Sequence, residues 1–185
     1  MDCKDMVQVY RKADDAHKFE IIYKNYSCFL RMVDSIISGL AYEIESEILF
    51  NRRQAKGDLG VRVQTSGISD VTGNTAATRG DFANALKACN FSGGILDDCD
   101  NPEEYIMQAL ILDDMRRDYF LFEDQLGGLS ERDHRILLPY ILKDKDIITI
   151  ASEENVCVET LRGYIRDAKK VVKTNTLYHM NRRKR

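Results

Sequence analysis

Apolar residues recur at steps of three and four between residues 14 and 55: Phe19, Ile22, Tyr23, Tyr26, Leu30, Val33, Ile37, Leu40, Ile44 and Ile48. That spacing predicts helix, as one long element or two. Asn25-Tyr26-Ser27 and Gly39 are the points where it can bend. So long a stripe must be covered, either by the helix that follows residue 101 or by a second copy of the chain. A second periodic face runs through Tyr105, Ala109, Leu112, Met115, Tyr119, Phe122 and Leu126 and predicts a helix over 101–127. Asn101 is its expected cap, Pro102 suits its first position, and Glu103 and Glu104 suit its positive end. Gly127-Gly128 ends it.

Between these faces the pattern fades. Lys56 to Gly67 is rich in glycine, and Ile68 to Thr75 is small and polar. The stretch 57–80 is therefore read as a polar loop or linker, longer than compact domains usually carry. A short helix through Phe82, Ala85 and Leu86 follows, with Asp70 or Thr72 as its cap and Phe91-Ser92-Gly93-Gly94 as its end.

The last third of the chain holds three short apolar periods. Ser130 can cap a helix carrying Ile136, Leu137, Tyr140 and Ile141, with Pro139 expected to kink it. Asp144 or Asp146 can cap a second helix with Ile147, Ile150 and Ala151 on one face. Glu153 to Cys157 breaks the pattern, and Asn155 tolerates the left-handed conformation a sharp corner needs. A third helix starts near Val158, with Leu161, Ile165, Ala168 and Val172 inward. Its outward face carries Glu159, Arg162, Gly163, Arg166, Lys169, Lys170 and Lys173. Phosphate neutralisation and donors to base edges are what the DNA major groove asks of such a helix.

This stretch resembles the fourth region of bacterial sigma factors. The residues that carry the likeness are Leu129-Ser130-Glu131-Arg132, Ile150-Ala151, Asn155-Val156-Cys157, Thr160-Leu161 and Ala168-Lys169-Lys170. Cys157 stands where that pattern has a capping serine. The resemblance implies a helix-turn-helix with the third helix in the major groove. Val158, Glu159, Arg162 and Arg166 are then the base-reading candidates. Gly163 and Lys173 lie on the same DNA-binding face, and Thr160, Lys169 and Lys170 go to phosphates.

The order of elements carries a second resemblance. A long N-terminal helix, a glycine-rich stretch, Ser69-Asp70-Val71-Thr72, another long helix and the sigma-like segment follow one another. That order is similar to phage and prophage late-gene transcription regulators of the ArpU and RinA type. It implies DNA binding that controls late genes. A sigma-like factor acting through RNA polymerase is the alternative within transcription, and a packaging or assembly adaptor that binds DNA is the alternative outside it. The acidic Asp-x-x-Gln-Glu motif and the melting helix of a sigma second region are absent.

The expected fold is all-α: long N-terminal helices, then the helix-turn-helix. The expected division is 1–56, 57–80, 81–127 and 128–185. Charge sharpens it. Residues 1–127 hold 14 Lys and Arg against 22 Asp and Glu, a net of −8, while residues 128–185 hold 13 against 8, a net of +5. A basic end on an acidic body suits a polyanion at that end. Met180 to Arg185 reads as a basic tail, either trailing over phosphates or solvating the end. Double-stranded DNA is the expected partner, with RNA polymerase and a second copy as further candidates.

The 185 residues are 44% hydrophobic and 31% charged, the balance of a globular protein, with no run of about 18 apolar residues that would span a membrane. Five cysteines, an odd number without metal spacing, and no apolar leader after Met1 suggest reduced thiols in a cytoplasm. Three scattered histidines, at 17, 134 and 179, give no metal site, and no phosphate loop or nucleophile elbow occurs. No catalysis and no cofactor are expected. Acid pairs such as Asp97-Asp98 read as surface charge.

Overall fold

The computed structural model of the chain describes residues 3–55 and 71–183. Among the described residues the structure is all helix, in the order α1 (Cys3–Lys12), α2 (Asp15–Asn25), α3 (Phe29–Ala55), α4 (Val71–Ala88), α5 (Pro102–Gly127), α6 (Glu131–Leu142), α7 (Ile147–Glu153) and α8 (Val158–Arg183). None of these helices is long and apolar enough to cross a membrane.

The N-terminal stripe forms two helices. The break falls at Tyr26 to Cys28, as the weak Asn25-Tyr26-Ser27 stretch allows, while Gly39 stays inside α3. α1 lies outside the sequence reading, although Met6, Val7 and Tyr10 already have helical spacing and all three are buried. α4 begins at Val71, so the last ten positions of the expected 57–80 loop are helical. Thr72 is thus inside the helix, and Asp70 lies outside the described residues. α4 stops at Ala88, before the expected glycine signal, because Cys89 takes a left-handed φ of 48°. Asn101 is not a conventional cap: its side-chain amide donates to Glu104 at 3.4 Å.

The chain forms two compact units: Met1–Met32 with Asp114–Arg185, and Val33–Asp113. They do not follow the four consecutive segments read from the sequence. In the second unit Ile37, Leu40, Ala41, Ile44 and Ile48 of α3 are buried, as are Phe82 and Leu86 of α4 and Leu112 of α5. The stripe residues Phe19, Ile22, Val33, Ile37, Leu40, Ile44 and Ile48 are thus covered within one chain, which removes the need for a dimer seam there. Glu45 is buried and paired to Arg79 at 2.7 Å.

The first unit is built around aromatic rings. Phe122 lies 5.3 Å from Phe19 and 5.4 Å from Tyr26, centroid to centroid, and Tyr119 stacks on both Tyr26 and Phe29. α8 packs against α2, α6 and α7, through Leu161, Ile165, Ala168, Val172 and Met180. The segment read as a basic tail is therefore the last part of a 26-residue helix as far as Arg183. Met180 is buried, and Arg183 donates to the buried carboxylate of Asp118 at 2.8 Å. A cation held by an internal carboxylate is not available to trail over phosphates.

Candidate nucleic-acid interface

Local sequence sets each boundary of α6, α7 and α8. Ser130 caps α6 by accepting the Asp133 N–H at 3.1 Å. Asp146, rather than Asp144, caps α7 by accepting the Thr149 N–H at 2.7 Å. Hydrogen bonding from Thr149, first through its side chain and then through this N–H, keeps the Asp146 carboxyl below the usual carboxylate range. α6 runs past Pro139 to Leu142 and ends on Lys143, which adopts a left-handed φ of 62°. Tyr140, read as part of the inward face, is exposed; Ile136, Leu137 and Ile141 fill the core.

The corner between α7 and α8 is closed by its backbone. Asn155 sits at φ 54°, the Val156 N–H donates to the Ala151 carbonyl at 3.0 Å, and the Asn155 N–H donates to Ser152 at 3.2 Å. This pair of bonds with a left-handed residue after the helix is a Schellman closure, which satisfies carbonyls the helix end would otherwise leave open. Ala151 is buried beneath it and Val156 is half-buried. Asn155→Ala is expected to destabilise the fold by about 1 kcal/mol, because alanine resists this φ, while Asn155→Gly stays near neutral. Urea unfolding of both variants measures the difference, and equal losses would show that the conformation is not the cause.

Ion pairs brace this corner. Arg135 of α6 forms a fork on Glu154, at 2.6 and 2.9 Å, and holds the Glu154 carboxyl below its ordinary range. Lys145 reaches both oxygens of Glu153 at 2.6 and 2.8 Å. Arg132 lies over the Tyr164 ring at 3.9 Å, tying α6 to α8. None of these contacts was legible from helical spacing, since in each the partners do not share one helix. Cys157 precedes α8 with its thiol 2.9 Å from Thr160 Oγ1, and that hydrogen bond lowers the thiol's pKa.

The nine residues expected at the interface divide into two groups. Arg162, Arg166 and Lys170 are exposed. Spaced by four, they drift by only about 40° per step and share one strip of α8. Glu159 is exposed beside them and pairs with Arg162 at 2.5 Å, while among the described residues Arg166 has a long contact with Asp167 at 3.8 Å. Val158, Thr160 and Gly163 are half-buried along the same turns.

Lys169 and Lys173 do not stand with that strip. Their ammonium groups meet Glu20 of α2 at 2.7 and 3.0 Å, and Lys169 also lies 4.2 Å over the Tyr23 ring. Burial raises the Glu20 pKa, but the two lysines outweigh it and hold the carboxyl below its usual range. The expectation that both lysines project outward is corrected: they clasp the Glu20 carboxylate of α2. The physical reason is Glu20, which α2 brings within reach of both ammonium groups; helical phase alone would leave the two lysines with the strip.

Family models, curated proteins and solved structures give no match to the chain. The reading of this surface therefore rests on its own chemistry. Among the described residues no three His, Cys, Asp or Glu side chains gather as a metal site.

Proposed function

We propose that this chain is a sequence-specific DNA-binding regulator of transcription, of the phage or prophage late-gene kind that its element order resembles. In this reading α6, α7 and α8 act as a sigma region 4-like helix-turn-helix. The N-terminal half of α8 enters the major groove. Val158, Glu159, Arg162 and Arg166 face base edges, Gly163 lets the backbone come close, and Thr160 and Lys170 meet phosphate. The observation that carries it is the strip of exposed cations on the helix that follows the Asn155 corner. Glu159 must give up its bond to Arg162 when Arg162 turns to a base. Glu159 can then accept from a cytosine amino group or stay clear of the backbone.

Selection of bound fragments from random duplex DNA, at two salt concentrations, tests the proposal. One enriched motif is expected. Arg162→Ala should then cost about 1–3 kcal/mol and relax preference at one base pair. Lys170→Ala should weaken all sequences alike and lower the salt slope by about 1, whereas Lys169→Ala should change that slope much less, because Glu20 already holds Lys169. Binding without an enriched motif, or no binding, overturns the reading.

A further inference from the structure

An open cavity of about 610 Å³ lies where the last turn of α2 meets the end of α6 and the α6–α7 connection. Small-molecule sites usually measure roughly 300–1,000 Å³. Tyr23, Tyr140 and Ile141 supply rings and an aliphatic wall, and Lys24, Lys143, Lys145 and Asp146 supply the polar lining. Two of these polar groups are already committed. Asp146 caps α7, and Lys145 holds Glu153. The others are not: among the described residues, the hydroxyls of Tyr23 and Tyr140 and the ammonium groups of Lys24 and Lys143 have no hydrogen-bond or ion-pair partner. Burial pushes the Tyr23 hydroxyl up to about 12, so at neutral pH it remains a donor. Four donors without acceptors thus line one concave, ring-walled space. Lysines near helix C-termini do offset the helix dipole, by about 0.3–1 kcal/mol each. That role explains neither the tyrosine hydroxyls nor the cavity.

We propose that this cavity binds a small organic acid, with its flat apolar body against Tyr23, Tyr140 and Ile141 and its oxyanion head taken by Lys24 and Lys143. The head is a carboxylate or a phosphate, since both accept from ammonium and phenol donors. The inference stands apart from the DNA reading, and its test contains no DNA.

The probe is 4-fluorobenzoate, followed by fluorine NMR against the full chain. Saturable binding is expected. The double variant Lys24→Gln with Lys143→Gln should weaken it about tenfold, and Tyr140→Phe about threefold, by removing charged and hydroxyl donors. Lys24, Lys143 and Tyr140 are exposed, and an unchanged circular dichroism spectrum confirms that the variants fold. Neutral 4-fluorobenzyl alcohol should bind about tenfold more weakly than the acid. No saturation below about 10 mM overturns the proposal. So does affinity unchanged in the double variant, or equal affinity for the alcohol. Inorganic phosphate binding as tightly as 4-fluorobenzoate also overturns it, since a backbone phosphate would then serve as well.

Discussion

Phe122→Ala is expected to destabilise the protein by about 4 kcal/mol, the largest loss from any single side chain of the aromatic cluster. Phe122 is fully buried, with the rings of Phe19, Tyr26 and Tyr23 at 5.3, 5.4 and 6.4 Å. Alanine removes the transfer energy of a benzyl group and leaves a gap that the large surrounding rings cannot close. Phe120 is the control. It is the same residue type two positions earlier, but it is 51% exposed, so Phe120→Ala should change stability by less than about 1 kcal/mol. Urea unfolding followed by circular dichroism and tyrosine fluorescence measures both, the chain having nine Tyr and no Trp. Similar losses at the two positions would show that the core is not centred on Phe122.

Asp118→Ala should cost about 3 kcal/mol, because it leaves a buried donor without an acceptor. Asp118 is 1% exposed. It accepts from the Tyr10 hydroxyl at 2.8 Å and from Arg183 at 2.8 Å, so one carboxylate joins α1, α5 and the end of α8. Tyr10 is buried, its pKa pushed far upward by that burial and then by Asp118, so its hydroxyl stays protonated and needs an acceptor. Arg183 is partly exposed and has Asp114 at 3.6 Å, so it suffers less. Asp118→Asn keeps an acceptor for Tyr10 and should lose less than Asp118→Ala.

The pH dependence has a definite sign. Burial raises the Asp118 pKa despite the Tyr10 hydrogen bond and the Arg183 charge. The folded state then binds this proton more readily than the unfolded chain. The stabilisation that follows is complete below the ordinary carboxylate pKa and is lost as pH rises through the raised native value. Other carboxylates, such as Glu20 and Glu154, are shifted downward and respond in the opposite sense, but they are common to both proteins. The stability of wild type minus that of Asp118→Asn should therefore grow as the solution is acidified from neutrality toward the ordinary carboxylate range. A difference that shrank instead would mean that Asp118 is held ionised by Arg183.

Much of this fold could be read from local signals. The apolar faces of α2, α3 and α5, the Ser130 cap and the left-handed Asn155 each follow from a few adjacent residues. The candidate interface was legible to the extent that it depends on one helix: at a fixed angle per residue, Arg162, Arg166 and Lys170 must share a strip. Lys169 and Lys173 have much the same helical phase, so spacing alone could not separate them from it. What separates them is Glu20, far earlier in the chain.

The sequence by itself determined the helical class, most helix boundaries and the concentration of positive charge after residue 128, because propensity, capping and charge are properties of neighbouring residues. Only the tertiary structure decided that α8 runs on to Arg183 with Thr176 and Met180 buried, that two of its lysines are held by α2, and that four donors without a partner among the described residues line one cavity. Those outcomes depend on which distant side chains meet. A buried carboxylate such as Asp118, or a half-buried one such as Glu20, chooses its cation through packing geometry that no local pattern encodes.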